Sequence, residues 1–227
     1  IVRRRVAGAP SAFFVGGGAY TLPRAWAARH EDPEIVVAEI DPAVTRLAEE
    51  RLWVEPDRFE IHHMDARLAL SRLAPGRRFD VILGDAFHDV AIPAHLVTDE
   101  FHALVKRRLR PGGLYMVNVV EARREPPFLL SFVRTLKRRF AHVELWLDTD
   151  SMGPGEARVT WLVVASDRPG GLSEIRARHG FPRTWLRVPT EAMLSVLPRA
   201  AQVVLTDDHA PVARLMRHVI TDRRLAE

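Results

Sequence analysis

Short apolar runs alternate with amphipathic segments of helical period through the first two thirds of the chain. Each apolar run has the length of a strand, and each intervening segment is long enough for one helix. Strands that alternate with helices build a parallel sheet with helices on both faces. The sequence therefore predicts a doubly wound α/β fold with a mostly parallel sheet. The expected strands lie within residues 12–17, 34–41, 59–66, 79–87, 113–121, 142–147 and 158–166.

Glycines or carboxylates close the first four apolar runs. In open α/β sheets, ligands bind beyond the carboxyl ends of the strands, at the position where the strand order reverses. The residues that follow each strand are therefore the first candidates for chemistry. They lie at residues 16–20, at 39–41, at Asp65 and at 85–89.

The composition narrows the class of protein. With 227 residues, of which 47% are hydrophobic, the chain can bury the core of one ordinary domain. We therefore expect a single domain over residues 1–227, with a lead-in at 1–11 and a C-terminal extension at 167–227. The absence of cysteine excludes disulfides and thiolate metal sites and suits a cytoplasmic protein. No apolar stretch reaches the ~18 residues of a membrane span, so we expect no membrane contact.

Basic residues give the chain a formal charge of +4, but 29 acidic residues are interspersed among the 33 basic ones. No basic stripe with interleaved aromatic residues accompanies this charge, so we expect no specific nucleic-acid partner. The histidines have no spacing typical of metal ligands, so we also expect no metal site. The histidines considered were His62, His63, His88, His95 and His102.

Gly16, Gly17 and Gly18 follow the first expected strand and precede a helix. Glycines at this position let the backbone approach a ligand closely, and a helix N-terminus then faces a polar group. The fingerprint of NAD-binding proteins requires another glycine where this chain has Thr21. A tight turn without a ligand is the alternative interpretation of the glycines.

The second and third strands end in carboxylates. Glu39 closes the second strand, where an acidic side chain accepts hydrogen bonds from both hydroxyls of a ribose. Asp65 closes the third strand, where it would accept a bond from an adenine amino group or else cap the next helix. Asp41 precedes Pro42 and is expected to be a helix cap. Glycine loop, ribose acid and adenine acid follow in that order, which favours an adenosine site over a dehydrogenase site.

The fourth apolar run ends in GDAFHD, which contains Asp85 and Asp89. A carboxylate beside a bound cofactor would deprotonate an attacking amine, or stabilise it as it becomes cationic. We therefore expect Asp85 to be catalytic and Asp89 to bind substrate, with a loop-capping role as the alternative for Asp85. Near the C-terminus, Asp207 either caps a helix that begins near Pro211 or forms a wall of the acceptor pocket.

Over residues 12–121 the chain resembles the spermidine synthase (polyamine aminopropyltransferase) family, in its divergent spermidine synthase-like branch. The resemblance rests on GGGAY, EID, MDA and DVILGDAFHD in this order, with a further likeness at LTDDHAPV. It implies a Rossmann-like fold of the class I methyltransferase and spermidine synthase type. It also implies a branch without the family's N-terminal β-domain, and a homodimer.

The activity implied by the resemblance is transfer of an aminopropyl group from decarboxylated adenosylmethionine to a small amine. By the same resemblance, Glu39 holds the ribose and Ile40 packs on the adenine. Asp65 and Ala66 frame the adenine, and Asp85 is the catalytic carboxylate.

Two positions depart from the family pattern. Ala19 stands where the family has an aspartate that contacts the ammonium end of the donor, and His88 stands where a second aspartate binds the diamine. Loss of an acid weakens the binding of an ammonium and relieves repulsion of a carboxylate, so ordinary adenosylmethionine becomes a second candidate donor. Three functions stay open: an aminopropyltransferase-like enzyme, an adenosylmethionine-dependent methyltransferase, and a non-catalytic nucleoside-binding module.

Overall fold

The computed structural model describes residues 1–30, 33–86, 92–152, 158–177 and 182–217. The strands are β1 (Ala12–Val15), β2 (Ile35–Ala38), β3 (Glu60–His62), β4 (Phe79–Gly84), β5 (Leu109–Ala122), β6 (His142–Asp148), β7 (Arg158–Ser166), β8 (Glu174–Arg176) and β9 (Thr184–Val188). The α-helices are α1 (Val2–Arg5), α2 (Thr21–Ala27), α3 (Pro42–Leu52), α4 (Ala66–Arg72), α5 (Asp99–Arg108), α6 (Pro127–Leu136), α7 (Thr190–Leu194) and α8 (Val212–Leu215).

The described chain forms two compact units. The first unit comprises residues 1–86 and 103–116, and the second comprises the described parts of 87–102 and 117–227. The helix α5 and the strand β5 contribute residues to both units. The expectation of a single domain stays a prediction.

The first unit contains a parallel sheet with the strand order β3-β2-β1-β4. The chain moves outward from β1 to β3 and then returns to the other side of β1 with β4. The strand order therefore reverses at the carboxyl ends of β1 and β4, which is where ligands bind in folds of this class. The predicted α/β fold is confirmed.

Burial on both faces explains why the strands of the first unit have continuous apolar sequences. All four residues of β1 and all four of β2 are buried. Phe14 meets Trp26 edge to face at a centroid distance of 5.9 Å, and Tyr20 packs against Phe59 at the same distance. The first contact packs α2 on the sheet. The second packs Tyr20 against the residue that directly precedes β3 and so fixes the segment that follows the glycines.

Strands of the second unit pair antiparallel, in the order β7-β6-β9-β8. The predicted strands at 142–147 and 158–166 correspond to β6 and β7. β8 and β9 were not predicted, because neither has the continuous apolar run used to find the other strands. Both lie in the region 167–227 that was expected to be an extension of the domain.

None of the helices in the described segments is long and apolar enough to cross a membrane.

His102 lies on α5, in the second unit, with no surface exposed to solvent. Its ring is 5.2 Å from that of Phe132 and 6.2 Å from that of Phe101, measured between centroids. Burial lowers the pKa of His102 from 6.5 to about 3, so the imidazole is neutral in the folded protein at ordinary pH. In the unfolded chain the same side chain takes up a proton near its usual pKa.

We therefore expect acid to destabilise the fold through His102. Between pH 6.5 and about 3 the unfolded chain binds one more proton at this residue, so the unfolding free energy decreases as the pH falls. The contribution is at most about 1.4 kcal/mol per pH unit. In urea unfolding between pH 7 and 5, the unfolding free energy of the His102→Leu variant should depend less steeply on pH than that of the unaltered protein. The exposed His142→Gln change should leave it unaltered, and equal slopes in all three proteins would contradict the prediction.

Candidate functional site

The glycine loop joins the carboxyl end of β1 to the start of α2 and touches the end of β4. A Cβ atom on Gly16 would lie 3.0 Å from the carbonyl oxygen of Asp85, and Gly16 has φ +95°. The main-chain N–H of Asp85 donates to the carbonyl oxygen of Val15 over 3.0 Å. Gly16 is therefore required for the close approach of the two strand ends. This contact places the main chain of Asp85 directly beside the loop.

Tyr20 supports the glycine loop from the core, a role that the sequence did not predict. A Cβ atom on Gly17 would lie 2.9 Å from the ring of Tyr20, so only glycine fits above it. Tyr20 is fully buried and has φ +55°, which is unusual for a large side chain. Its hydroxyl is 2.7 Å from Oγ1 of Thr45, which in turn is 3.0 Å from Nε2 of His63. Burial raises the pKa of Tyr20, so its hydroxyl keeps its proton.

The carboxylate of Glu39 holds the glycine loop to the end of β2. Its Oε2 accepts hydrogen bonds from the main-chain N–H groups of Gly17 at 2.9 Å and Gly18 at 3.2 Å. Its Oε1 accepts one from the N–H of Asp41 at 3.0 Å. Glu39 is only 7% exposed, so these bonds compensate the cost of burying its charge. The structure thus brings together Gly17, Gly18 and Glu39. Their role in binding a ligand stays a prediction.

Two aspartates begin the helices that follow β2 and β3. Asp41 accepts a hydrogen bond from the N–H of Ala43 at 2.8 Å, which confirms it as the cap of α3. Asp65 accepts one from the N–H of Leu68 at 3.0 Å and caps α4. The capping role considered for Asp65 is therefore present, and its contact with an adenine stays a prediction.

The other residues expected at the adenine differ in exposure. Ile40 is 69% exposed although it is apolar, whereas Ala66 is buried. An exposed isoleucine next to Glu39 offers an apolar surface to a flat ligand. The roles of both residues stay predictions.

The three carboxylates expected around the acceptor are described to different degrees. Asp85 is exposed at the end of β4, in the first unit. Asp89 lies outside the described residues. Asp207 is exposed in the second unit, and its main-chain N–H donates to Oε2 of Glu100 over 3.0 Å.

The helix-capping role considered for Asp207 is wrong. α8 begins after Pro211, and no side chain caps it. Thr206 and His209 instead close a tight turn, in which the N–H of each donates to the carbonyl oxygen of the other.

Among the residues that the structure describes, no three histidine or carboxylate side chains form a group that could hold a metal ion.

No family model matches the chain. The chain is similar to the polyamine aminopropyltransferase of Vibrio vulnificus (strain CMCP6), with 34% identity over 106 residues, which is 46% of this chain but only 36% of that protein. The chain therefore aligns with about a third of the length of this curated relative.

Solved structures identify the fold. A probable spermidine synthase from Corynebacterium glutamicum ATCC 13032 matches with a TM-score of 0.65 and 23% identity, over 86% of this chain and 71% of that one. Human methyltransferase-like protein 13 in complex with SAH matches with a TM-score of 0.58 and 23% identity. The match covers 71% of this chain and 73% of that one. The chain thus has the Rossmann-like fold that spermidine synthases share with class I methyltransferases. The alignment with polyamine aminopropyltransferases, at 34% identity over about half of this chain, confirms the resemblance to that family.

The Glu39→Gln variant tests whether the carboxylate holds the loop. Glutamine has one acceptor and one donor group, so in either orientation its NH₂ faces a main-chain N–H that Glu39 now satisfies. We expect the unfolding free energy to fall by about 1–3 kcal/mol. Glu50→Gln, on the exposed face of α3, is the matched control and should change it little. Equal stability of the two variants in urea unfolding would show that Glu39 does not hold the loop.

Proposed function

We propose that the chain is a spermidine synthase-like transferase that takes an adenosyl-sulfonium donor and an amine acceptor. The observation that carries the proposal is the position of Glu39, whose carboxylate is tied to the glycine loop where the strand order reverses. The partial alignment with a polyamine aminopropyltransferase supports the same assignment. The donor and the acceptor are proposals that rest on this site.

Glu39 has limited room for the two hydroxyls of a ribose. A carboxylate has about four lone-pair positions, and three main-chain N–H groups already bond to this one. The Gly18 bond is the longest of the three, at 3.2 Å. We therefore expect the donor to displace it and to leave the shorter bond from Gly17 in place. Ile40 would then cover one face of the adenine and Asp65 would accept from its amino group.

The reaction that fits this site is a direct displacement. The lone pair of a neutral amine attacks the carbon next to the sulfonium, a C–N bond forms, and the C–S bond breaks with its electrons going to sulfur. The product amine is cationic and releases one proton. Asp85, at the end of β4, would accept that proton or stabilise the charge. Asp89 and Asp207 are proposed to bind the acceptor.

The two candidate donors differ in the charge of the tail, because adenosylmethionine keeps a carboxylate that its decarboxylated form lacks. Ala19 is exposed in the glycine loop and carries no charge. An ammonium on the tail therefore finds no carboxylate at this position, and a carboxylate on the tail meets no repulsion from it. Both decarboxylated adenosylmethionine and adenosylmethionine are accordingly proposed as donors.

A methyltransferase is the second candidate function. The match to a human methyltransferase-like protein in complex with SAH concerns the fold, and Ala19 permits a donor that keeps its carboxylate. The two functions differ in product, because aminopropyl transfer releases methylthioadenosine and methyl transfer releases adenosylhomocysteine. A non-catalytic nucleoside-binding module would bind the donor and release neither. A cytoplasmic location and a homodimer remain proposals on any of these functions.

Ligand-induced stabilisation tests the donor site. A ligand that binds the folded state raises the unfolding free energy by about 2.7 kcal/mol at one hundred times its dissociation constant. We expect adenosylmethionine, its decarboxylated form and methylthioadenosine each to raise the melting temperature more than NAD does. Preferential stabilisation by NAD would contradict an adenosyl-sulfonium site.

The Asp85→Asn variant tests the catalytic carboxylate. Asparagine keeps the size of the side chain but accepts no proton, so we expect turnover to fall by about 10²–10⁴-fold while donor binding is retained. Product release is measured by chromatography and donor binding by calorimetry. Asp57→Asn, at an exposed position outside the site, is the control. Loss of donor binding in Asp85→Asn would make Asp85 a donor ligand or a structural residue instead.

A further inference from the structure

Trp53 adopts a backbone conformation that its side chain disfavours. It follows the end of α3 with φ +54° and ψ 41°, in the left-handed region. Glycine or asparagine usually occupies this position at a helix end, and a bulky residue there is an outlier. The residue is also 81% exposed, so little packing offsets the strain. The local physics favours glycine, yet the chain places a large indole in solvent.

The indole of Trp53 borders a pocket of about 370 Å³ in the first unit. Ala25, Ala28 and Phe59 supply the rest of its apolar lining. The polar lining residues are Thr21, Glu55 and two cationic ones, Arg24 and Arg58. The guanidinium of Arg24 donates from Nη1 to the carbonyl oxygen of Leu52 at 2.9 Å, which fixes it next to Trp53. A guanidinium has five N–H donors, so the remaining ones can bind an anion.

Arg58 is also available to an incoming anion. It forms an ion pair with Glu55 of the same lining over 3.8 Å, and both side chains are more than half exposed. An exposed pair at this distance is worth little, so a phosphate in the pocket would compete for the guanidinium.

We propose that this pocket binds a planar aromatic ring that carries an anionic group, as a nucleoside monophosphate does. The ring stacks on the indole of Trp53, and Arg24 and Arg58 bind the anion. A volume of about 370 Å³ is within the range of small-ligand pockets. None of the lining residues belongs to the glycine loop or to the set of Glu39, Ile40 and Asp65. The site is therefore independent of the proposed transferase activity.

AMP is the probe for this site. Its binding to the whole chain is followed by calorimetry and by the indole N–H signal of Trp53 in NMR spectra, which is identified by its absence from the Trp53→Gly variant. We expect AMP to shift this signal. Adenosine lacks the anion and inorganic phosphate lacks the ring, so each should bind about tenfold or more weakly than AMP.

Four variants define the contacts. Trp53→Gly should weaken AMP binding by about tenfold or more, because base stacking on an aromatic side chain is lost. The same variant should keep or raise the melting temperature, since glycine suits φ +54°. Arg58→Gln should also weaken binding severalfold. Leu47→Ala and Arg46→Gln change exposed residues of α3 outside the pocket and should leave binding unchanged.

A further variant separates this site from the proposed donor site. Ile40→Ala removes the apolar surface next to Glu39. In this variant AMP should still shift the indole N–H signal of Trp53. AMP binding that is weakened by Ile40→Ala but unaffected by Trp53→Gly would assign AMP to the donor site and overturn the proposal. Equal affinity for inorganic phosphate and AMP would also overturn it, as would a Trp53 signal that shifts with single-stranded RNA but not with AMP.

Discussion

The buried carboxylate of Glu39 is the interaction on which the candidate site depends. It accepts hydrogen bonds from the N–H groups of Gly17 and Gly18 on one oxygen and from that of Asp41 on the other. One side chain thereby joins the end of β1, the end of β2 and the start of α3. A buried charge is stable only when it is well bonded, so the loop and the carboxylate stabilise each other. A donor that binds Glu39 must exchange bonds with the loop that positions it.

The same loop is constrained from two other directions. Gly16 has no space for a side chain because the carbonyl of Asp85 lies against it, and Gly17 has none because the ring of Tyr20 lies beneath it. Each of these two glycines is thus required by a particular neighbour within the fold. The glycines alone indicate a close-packed turn, and the carboxylate of Glu39 ties that turn to the end of β2, where the donor is proposed to bind.

The sequence predicted the strands of the first unit well, because the signals that mark each strand lie within or directly after that strand. Continuous apolar runs mark β1, β2 and β4 as buried strands, and the acids that follow the strands of this unit mark the ligand edge of the sheet. The sequence did not predict the support given by Tyr20, because its partners Thr45 and Phe59 are distant in the chain. It did not predict the left-handed backbone of Trp53 either, since glycine or asparagine is the usual residue at such a helix end. β8 and β9 were missed for a related reason: their side chains are at most partly buried, and pairing with β6 and with each other is what orders them.

The outermost strands of the two units, β3 and β8, are both short and charged. Each has three residues, and each carries an ion pair: Glu60 with Arg77 at 2.6 Å in β3, and Glu174 with Arg176 at 2.6 Å in β8. An outer strand exposes unpaired main-chain groups that invite pairing with another chain. Short strands with desolvation-sensitive charges make such pairing unfavourable. These two strands therefore protect the protein against edge-to-edge aggregation, a property that neither the proposed site nor the core provides.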